Sequence, residues 1–335
     1  MESPPHAPPQ VTVVIVAYQA GDYLRRCVDA LKAQDGVRWE AVIVDNASTD
    51  GSLEGLALDA RFRVVASPVN LGFAEANNVG ARGSKARWIA CLNPDAFPRA
   101  GWLAKLVAGA EAAGAEMAGS TQVFADAPDT LDGLGDAYHI SGLAWRAGFG
   151  HPVSEVPRAP YPVFGPCAAA ALYDRELFER VGGYDARFFC YHEDVDLALR
   201  MRRAGGAAVQ VPGAVVDHVS SGIAGRASDF AVFHGTRNRM WTFAKSMPLA
   251  GLVLFGPLHV GMMIAMGVWA MFRSDRGPPT WRGTWAGVRG LPRMLRARRE
   301  VPGEVGLRGL MDVLAINPKG VVRRALVPAV RARDD

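Results

Sequence analysis

Val11-Thr12-Val13-Val14-Ile15-Val16-Ala17 is a seven-residue run rich in β-branched side chains. Its continuity, with no polar alternation, predicts a strand buried on both faces, as in a parallel sheet covered by helices. Three further runs extend the reading: Glu40 to Val44, Arg63 to Ser67 and Trp88 to Leu92. Between them, Asp22 can cap a helix in which Tyr23, Cys27, Val28 and Leu31 recur at helical spacing. A turn at Asn70-Leu71-Gly72 precedes a helix carrying Ala76, Asn77 and Gly80, and Trp102 to Ala113 reads as another helix. This alternation predicts an α/β fold, a mainly parallel central sheet flanked by helices.

From Thr121 to Pro162 the pattern breaks into Gly, Pro, Asp and aromatics. That is long for a structureless loop, so short strands and a part in substrate binding are expected there. Arg175 to Val181 and Asp194 to Arg203 read as helices stopped by Gly182-Gly183 and Gly205-Gly206, and Ala207 to Val216 reads as a strand.

With half of its 335 residues hydrophobic and 21% charged, the chain is no disordered segment. Cysteines 27, 91, 167 and 190 form no CxxC pair, which favours reduced thiols in a cytosolic setting. Residues 1–10 are Pro-rich without an apolar core, and read as a short disordered lead and not a signal peptide. The net charge of +4 hides an asymmetry: Arg273 to Asp335 holds 14 Lys/Arg against 6 Asp/Glu, leaving 23 against 27 elsewhere. Attraction to anionic surfaces therefore belongs to the tail.

Met247 to Phe272 carries no charge other than a protonatable His259, and its length suits a bilayer span. A buried helical hairpin broken at Pro257 is the bland alternative. A single crossing would put the basic tail on the far side from a cytosolic active site, against the positive-inside tendency. A re-entrant or in-plane hairpin keeps body and tail at the same anionic surface, and is the favoured expectation.

Three acidic clusters carry the chemistry. Asp45 closes the second strand in Val44-Asp45-Asn46-Ala47-Ser48-Thr49-Asp50-Gly51, where it either contacts a nucleobase or ribose or caps the next segment; Asp50 reads as a turn residue. Asn93-Pro94-Asp95 follows the fourth strand, where Asp95 can reach a diphosphate through Mg²⁺ or Mn²⁺, or serve simply as turn chemistry. His192-Glu193-Asp194-Val195-Asp196 crowds three acids behind the aromatic run Phe188 to Tyr191. It suits proton abstraction better than mere helix N-terminal charge, although Asp196 also pairs naturally with Arg200. His218 follows the apolar strand Ala207 to Val216 as a metal or pyrophosphate ligand or a structural histidine; Arg237-Asn238-Arg239 faces either a diphosphate or solvent.

In order and spacing these clusters resemble the GT-A glycosyltransferases of family 2, particularly the branch with bacterial rhamnosyltransferases. The resemblance spans about Val11 to Trp241. It rests on Val13 to Tyr18, Val44 to Gly51, Asn70-Leu71-Gly72-Phe73 with Asn77 and Gly80, Asn93-Pro94-Asp95, Gly182-Gly183-Tyr184-Asp185, His192 to Leu197 with Arg200, and Arg237-Asn238. It implies a glycosyltransferase domain at 11–241 followed by an apolar hairpin and basic tail at 242–335. It also implies roles. Ala17 and Tyr18 would edge the nucleotide pocket, with Asp45 on the base and Asn77, Asn93 and Arg237 among the nucleotide-sugar contacts. Asp95 and His218 would hold Mg²⁺ or Mn²⁺, although Asn93 stands where many relatives carry the first Asp of a DxD motif. Asp194 would be the general base, with Glu193 second. The implied reaction inverts the anomeric carbon of a nucleotide sugar, first dTDP-rhamnose, with UDP-galactofuranose or another UDP- or GDP-sugar behind it. The implied acceptor is a glycan or polyprenyl-linked saccharide, and the implied location is cytoplasmic, peripheral or monotopic at the inner face of the cell membrane.

Rival readings fit less well. A sugar nucleotidyltransferase needs a Gly-rich basic loop after the first strand, and Tyr18-Gln19-Ala20-Gly21-Asp22 has one Gly and no Lys. No GxGxxG follows that strand, which argues against a dinucleotide oxidoreductase. A sugar-nucleotide-binding scaffold without catalysis would have no need of Glu193 and Asp194. The basic tail lacks a nucleic-acid-binding motif, so no nucleic acid is expected as a partner.

Overall fold

The computed structural model describes residues 8–220, 228–273 and 276–324. Most of the lead at residues 1–10 and the end of the basic tail lie outside these.

β1 (Val11–Ala17) is buried at every position. Val13 and Ile15 enter one apolar layer and Val14 and Val16 the other. α1 (Asp22–Lys32) leads to β2 (Trp39–Asp45); β3 (Phe62–Ala66), α2 (Gly72–Ala81) and β4 (Trp88–Leu92) follow. The four strands pair in parallel as β3-β2-β1-β4. The strand order reverses at β1, so a crevice is expected at the carboxyl ends of β1 and β4. α1 differs from expectation in one respect: Gly21, at φ 50°, is the N-cap, and Asp22 lies inside the first turn without capping. Only glycine adopts that backbone cheaply, and it displaces Asp22 by one position.

β5 (Ala96–Pro98), α3 (Trp102–Ala113), β6 (Met117–Phe124), β7 (Ala127–Gly133), β8 (Asp136–Tyr138), β9 (Ala144–Arg146) and β10 (Tyr161–Pro162) come next. The irregular stretch thus does contain short strands, and β8 and β9 form a separate hairpin. β11 (Ala170–Asp174), α4 (Arg175–Arg180), α5 (Glu193–Arg203) and β12 (Ala208–His218) complete the α/β part. β11 inserts antiparallel between β4 and β6, while β12 runs parallel to β6. The sheet order is β10-β12-β6-β11-β4-β1-β2-β3, with β5 and β7 attached to β12 and β6.

α6 (Asp229–Ser246) crosses the expected boundary at 241/242 without a break. α7 (Leu249–Met271), α8 (Gly277–Ala297), α9 (Leu307–Leu310) and α10 (Pro318–Arg323) follow. α7 is one helix through Pro257, so the apolar stretch is not itself a hairpin. The preceding residue, Gly256, has no Cβ to meet the proline ring, which eases the restriction that proline places on the residue before it.

Candidate active site

A cleft of about 750 Å³ opens where the fold predicts it, beyond β1 and β4. Tyr18, Asn46 and Asn70 line one side; Asn93, Pro94, Asp95 and His218 another; Asp136, Trp145 and Arg146 of the β8–β9 hairpin face Glu193 and Asp194. Tyr18 is 39% exposed at the cleft, and an aromatic ring is suited to stacking on a planar base.

The loop edges are fixed by short polar links. Asn46 Oδ1 accepts the Leu71 N–H at 2.7 Å, and its amide donates to Asn70 Oδ1 at 2.9 Å. Asp50 Oδ2 accepts the Gly21 N–H at 2.8 Å, tying the turn after β2 to the one after β1. A Cβ on Gly72 would stand 2.5 Å from the Phe189 ring and 2.6 Å from its carbonyl oxygen, and φ there is +75°. Glycine is therefore required where the first half of the chain meets the segment leading into α5.

That segment is strained. Phe189, Tyr191 and His192 all hold φ of 65–67°. The buried amide of Asn238 on α6 donates to the carbonyls of Phe188, Cys190 and Tyr191 at 2.9, 2.8 and 2.7 Å. This support offsets the strain and sets the α5 N-terminus against the cleft. There Asp194 accepts N–H bonds from Val195 at 2.8 Å and Ala168 at 3.4 Å. Glu193 is buried, and burial and the adjacent Asp194 push its carboxyl well above the usual range.

Across the cleft, His218 Nδ1 meets Asp132 Oδ2 at 2.7 Å, while Nε2 faces Asp95 Oδ1 at 3.3 Å without closing a hydrogen bond. Asp132 also pairs with Arg146 and accepts from Ser220 Oγ at 2.7 Å. Burial works against its charge, but Arg146, His218 and Ser220 outweigh it and hold the carboxyl well below the usual range. Asn93 Oδ1, His218 Nε2 and Glu193 Oε2 are buried cleft atoms without hydrogen-bond partners. Asp95 and His218, 3.3 Å apart, with the Asn93 amide oxygen lining the same cleft, offer oxygen donors of the kind Mg²⁺ and Mn²⁺ take, together with one imidazole nitrogen.

The structure thus gathers Tyr18, Asn93, Asp95, Glu193, Asp194 and His218 in one cleft. The other expected residues do not line it. Ala17 is fully buried in β1, and Asp45 precedes the cleft-lining Asn46, its Oδ1 accepting the Ser48 N–H at 2.9 Å across a turn. Asn77 is buried in α2, donating to the Phe73 carbonyl at 2.9 Å. Arg237 bonds the Phe188 carbonyl at 2.8 Å and lies over the Trp241 ring. Asp132, Asp136, Trp145 and Arg146 carried no local signal; they come from the irregular stretch, and the partner of Asp132 lies 86 residues away.

The profile described as "Glycosyl transferase family 2" matches residues 12–182, just over half of the chain. The protein belongs to glycosyltransferase family 2. It is 38% identical over 158 residues to the succinoglycan biosynthesis protein ExoO of Rhizobium meliloti, a match covering 47% of this chain and 42% of that relative. It is 28% identical over 255 residues to the N-acetylglucosaminyl-diphospho-decaprenol L-rhamnosyltransferase of Mycobacterium tuberculosis, covering 66% of this chain and 80% of that one. The mannosyltransferase PcManGT of Pyrobaculum calidifontis, solved with GDP-Man and Mn²⁺, superposes with a TM-score of 0.52 at 17% identity over 86% of this chain and 88% of its own. GalNAc-T7 with UDP, GalNAc and Mn²⁺ gives 0.57 at 18% over 72% and 51%. The fold is that of the GT-A enzymes.

Proposed function

We propose that the protein is an inverting, metal-dependent glycosyltransferase. It moves a sugar, first rhamnose from dTDP-rhamnose, onto a hydroxyl of a cell-surface glycan or polyprenyl-linked saccharide. The observation that carries this reading is the meeting of Asp95 and Asp194, from distant parts of the sequence, in one cleft. Similarity to a rhamnosyltransferase acting on a lipid diphosphate supports the choice of donor and acceptor class.

In this mechanism Tyr18, Asn46 and Asn70 form the nucleotide side of the cleft. Asp95 and His218, with Asn93 beside them, would hold a divalent cation, which supplies charge neutralisation to the departing diphosphate. Asp194 takes the proton of the acceptor hydroxyl as that oxygen attacks the anomeric carbon from the face opposite the diphosphate. The test is the anomeric configuration of the product, read by NMR across a panel of nucleotide sugars. Inversion supports the reading; retention contradicts it.

α7 supports a membrane-surface location. Its stripe of Gly251, His259, Met263, Gly267 and Ala270 is buried, whereas Leu249, Val253, Leu254, Ile264 and Met271 are exposed. Body contacts recur along it, from Gly251 against Met247 and Leu307, through His259 stacked on Phe243, to Gly267 against Trp281. A helix held along its length by the body lies beside it, which favours an in-plane arrangement over a crossing. Exposed Trp269, Trp281 and Trp285 suit the headgroup level of an anionic inner leaflet. Flotation with anionic but not zwitterionic liposomes tests this.

A further inference from the structure

In Arg237-Asn238-Arg239, Arg237 is anchored by the Phe188 carbonyl and the Trp241 ring, and Asn238 by three carbonyls. Arg239 has no such anchor. Its guanidinium sits where α6 meets α7, with Nη1 directed at the Met266 Sδ at 3.3 Å, a weak acceptor. Its Nε is buried without a partner, and no Asp or Glu among the described residues pairs with it. Two more donors share this condition. Tyr138 Oη of β8 and Thr242 Oγ1, one turn along α6 from Arg239, are fully buried and unpartnered.

A sheltered cation without an opposite charge is costly. Water can accept hydrogen bonds from these groups but brings no charge. Their complement is an anion that offers several oxygens, and the guanidinium fork matches a phosphate.

The setting favours a phosphate attached to an apolar chain. Met266 is half-buried, at the edge between the stripe that α7 presents to the body and the exposed side carrying Ile264 and Val268. On the other side, the Arg239 charge reaches His192, which lines the cleft two residues before Asp194. Resting on the lipid-linked acceptor of the reading above, we propose that Arg239, with Tyr138 and Thr242, binds the diphosphate of a polyprenyl-linked acceptor. The polyprenyl chain runs along the exposed side of α7, and the saccharide enters the cleft toward Asp194. Burial holds the guanidinium below its usual range, at about 10, and burial together with the Arg239 charge lowers the His192 imidazole to about 3. An anion beside Arg239 works against both shifts.

Flotation of the full chain, without donor, tests the assignment. The vesicles are phosphatidylcholine carrying a polyprenyl diphosphate, the matching unphosphorylated polyprenol, or phosphatidylglycerol. Wild type is expected to bind the first roughly 10–100-fold more tightly than the second, the effect of one charge-assisted contact. Arg239→Met is expected to abolish that difference and to keep its binding to phosphatidylglycerol vesicles, which rests on the basic tail and the exposed side of α7. Equal binding of polyprenol and polyprenyl diphosphate by wild type, or an unchanged preference in Arg239→Met, would overturn the proposal. So would the same Arg239 dependence with phosphatidylglycerol, which makes this a site for bulk headgroups, or Arg239-dependent binding of inorganic pyrophosphate as tight as that of the lipid, which makes it a site for soluble anions. Melting without lipid separates a structural role, because losing an unpaired cation is expected to leave the melting temperature unchanged or raise it. A clear fall with the lipid preference intact would make Arg239 structural. Arg239→Gln, read the same way, serves if the Met variant does not fold. Absence of turnover with every nucleotide sugar would count against the transferase reading, while the vesicle result still decides Arg239.

Discussion

His218 Nδ1 and Asp132 Oδ2 stand 2.7 Å apart, and this contact turns the opposite ring nitrogen toward Asp95. Asp132 thereby sets the orientation of a proposed metal ligand without reaching the cation itself. Asp132→Asn is expected to weaken Mn²⁺ binding by roughly 10–100-fold, the usual effect of losing such a support. Titration of free Mn²⁺ by electron paramagnetic resonance reads it, and an unchanged affinity would remove Asp132 from this role.

Asp194→Asn keeps the shape of the α5 N-terminus and removes the proton acceptor. Transfer is expected to fall by roughly 10²–10⁴-fold, the contribution of a positioned base. Donor affinity should stay within about twofold, since Asp194 lies across the cleft from the nucleotide side. Near-normal turnover by the variant would exclude Asp194 as the base.

Asn238 and Arg237 are sequence neighbours with separable expectations. Asn238→Ala leaves the carbonyls of Phe188, Cys190 and Tyr191 without their shared donor. A loss of about 1–3 kcal/mol is expected, together with faster proteolysis of the strained 188–192 segment. Arg237→Ala should lower the melting temperature but leave donor affinity alone, because Arg237 holds the Phe188 carbonyl outside the cleft. Calorimetric titration of both variants checks this; a donor-binding loss confined to Arg237→Ala would restore the diphosphate role expected from the sequence.

Lys245 Nζ lies 2.6 Å from Asp185 Oδ2 and 2.8 Å from Asp196 Oδ2. Burial opposes the charge of both carboxyls, yet Arg187 and Lys245 hold Asp185 below the usual range, and Lys245 and Arg200 do the same for Asp196. A carboxyl depressed by folding stabilises the protein above its unfolded value, about 4, and that stability is lost as pH falls through the lower folded value. Acid unfolding is therefore expected to begin below about pH 4. Lys245→Met should move it to higher pH and cost roughly 3–5 kcal/mol at neutral pH, because two buried carboxylates lose a cation. Circular dichroism against pH checks both, and an unshifted acid midpoint would contradict the pairing.

Much of the architecture was legible because local pattern fixes buried parallel strands. The β1 and β4 boundaries coincide with the apolar runs Val11 to Ala17 and Trp88 to Leu92. The antiparallel β11 and the β8–β9 hairpin were not legible, since their pairings join distant, Gly-rich or short segments. The site divides the same way. Asp95 and Asp194 announce themselves by acidic residues at element ends, whereas Asp132 and Asp136 acquire meaning only from partners brought close by the fold. The family resemblance implies ligand contacts for Asn77 and Arg237, and in the structure each donates a hydrogen bond to nearby backbone. Local spacing does not reveal that choice.

The most direct test of the central claim is calorimetric titration of nucleotide sugars, with and without Mn²⁺ or Mg²⁺, into wild type and Asp95→Asn. The wild type is expected to bind at least one donor in a cation-dependent manner, and the variant to lose that dependence. Failure of the wild type to bind any donor, or equal cation-dependent binding by Asp95→Asn, would contradict the assignment of this cleft.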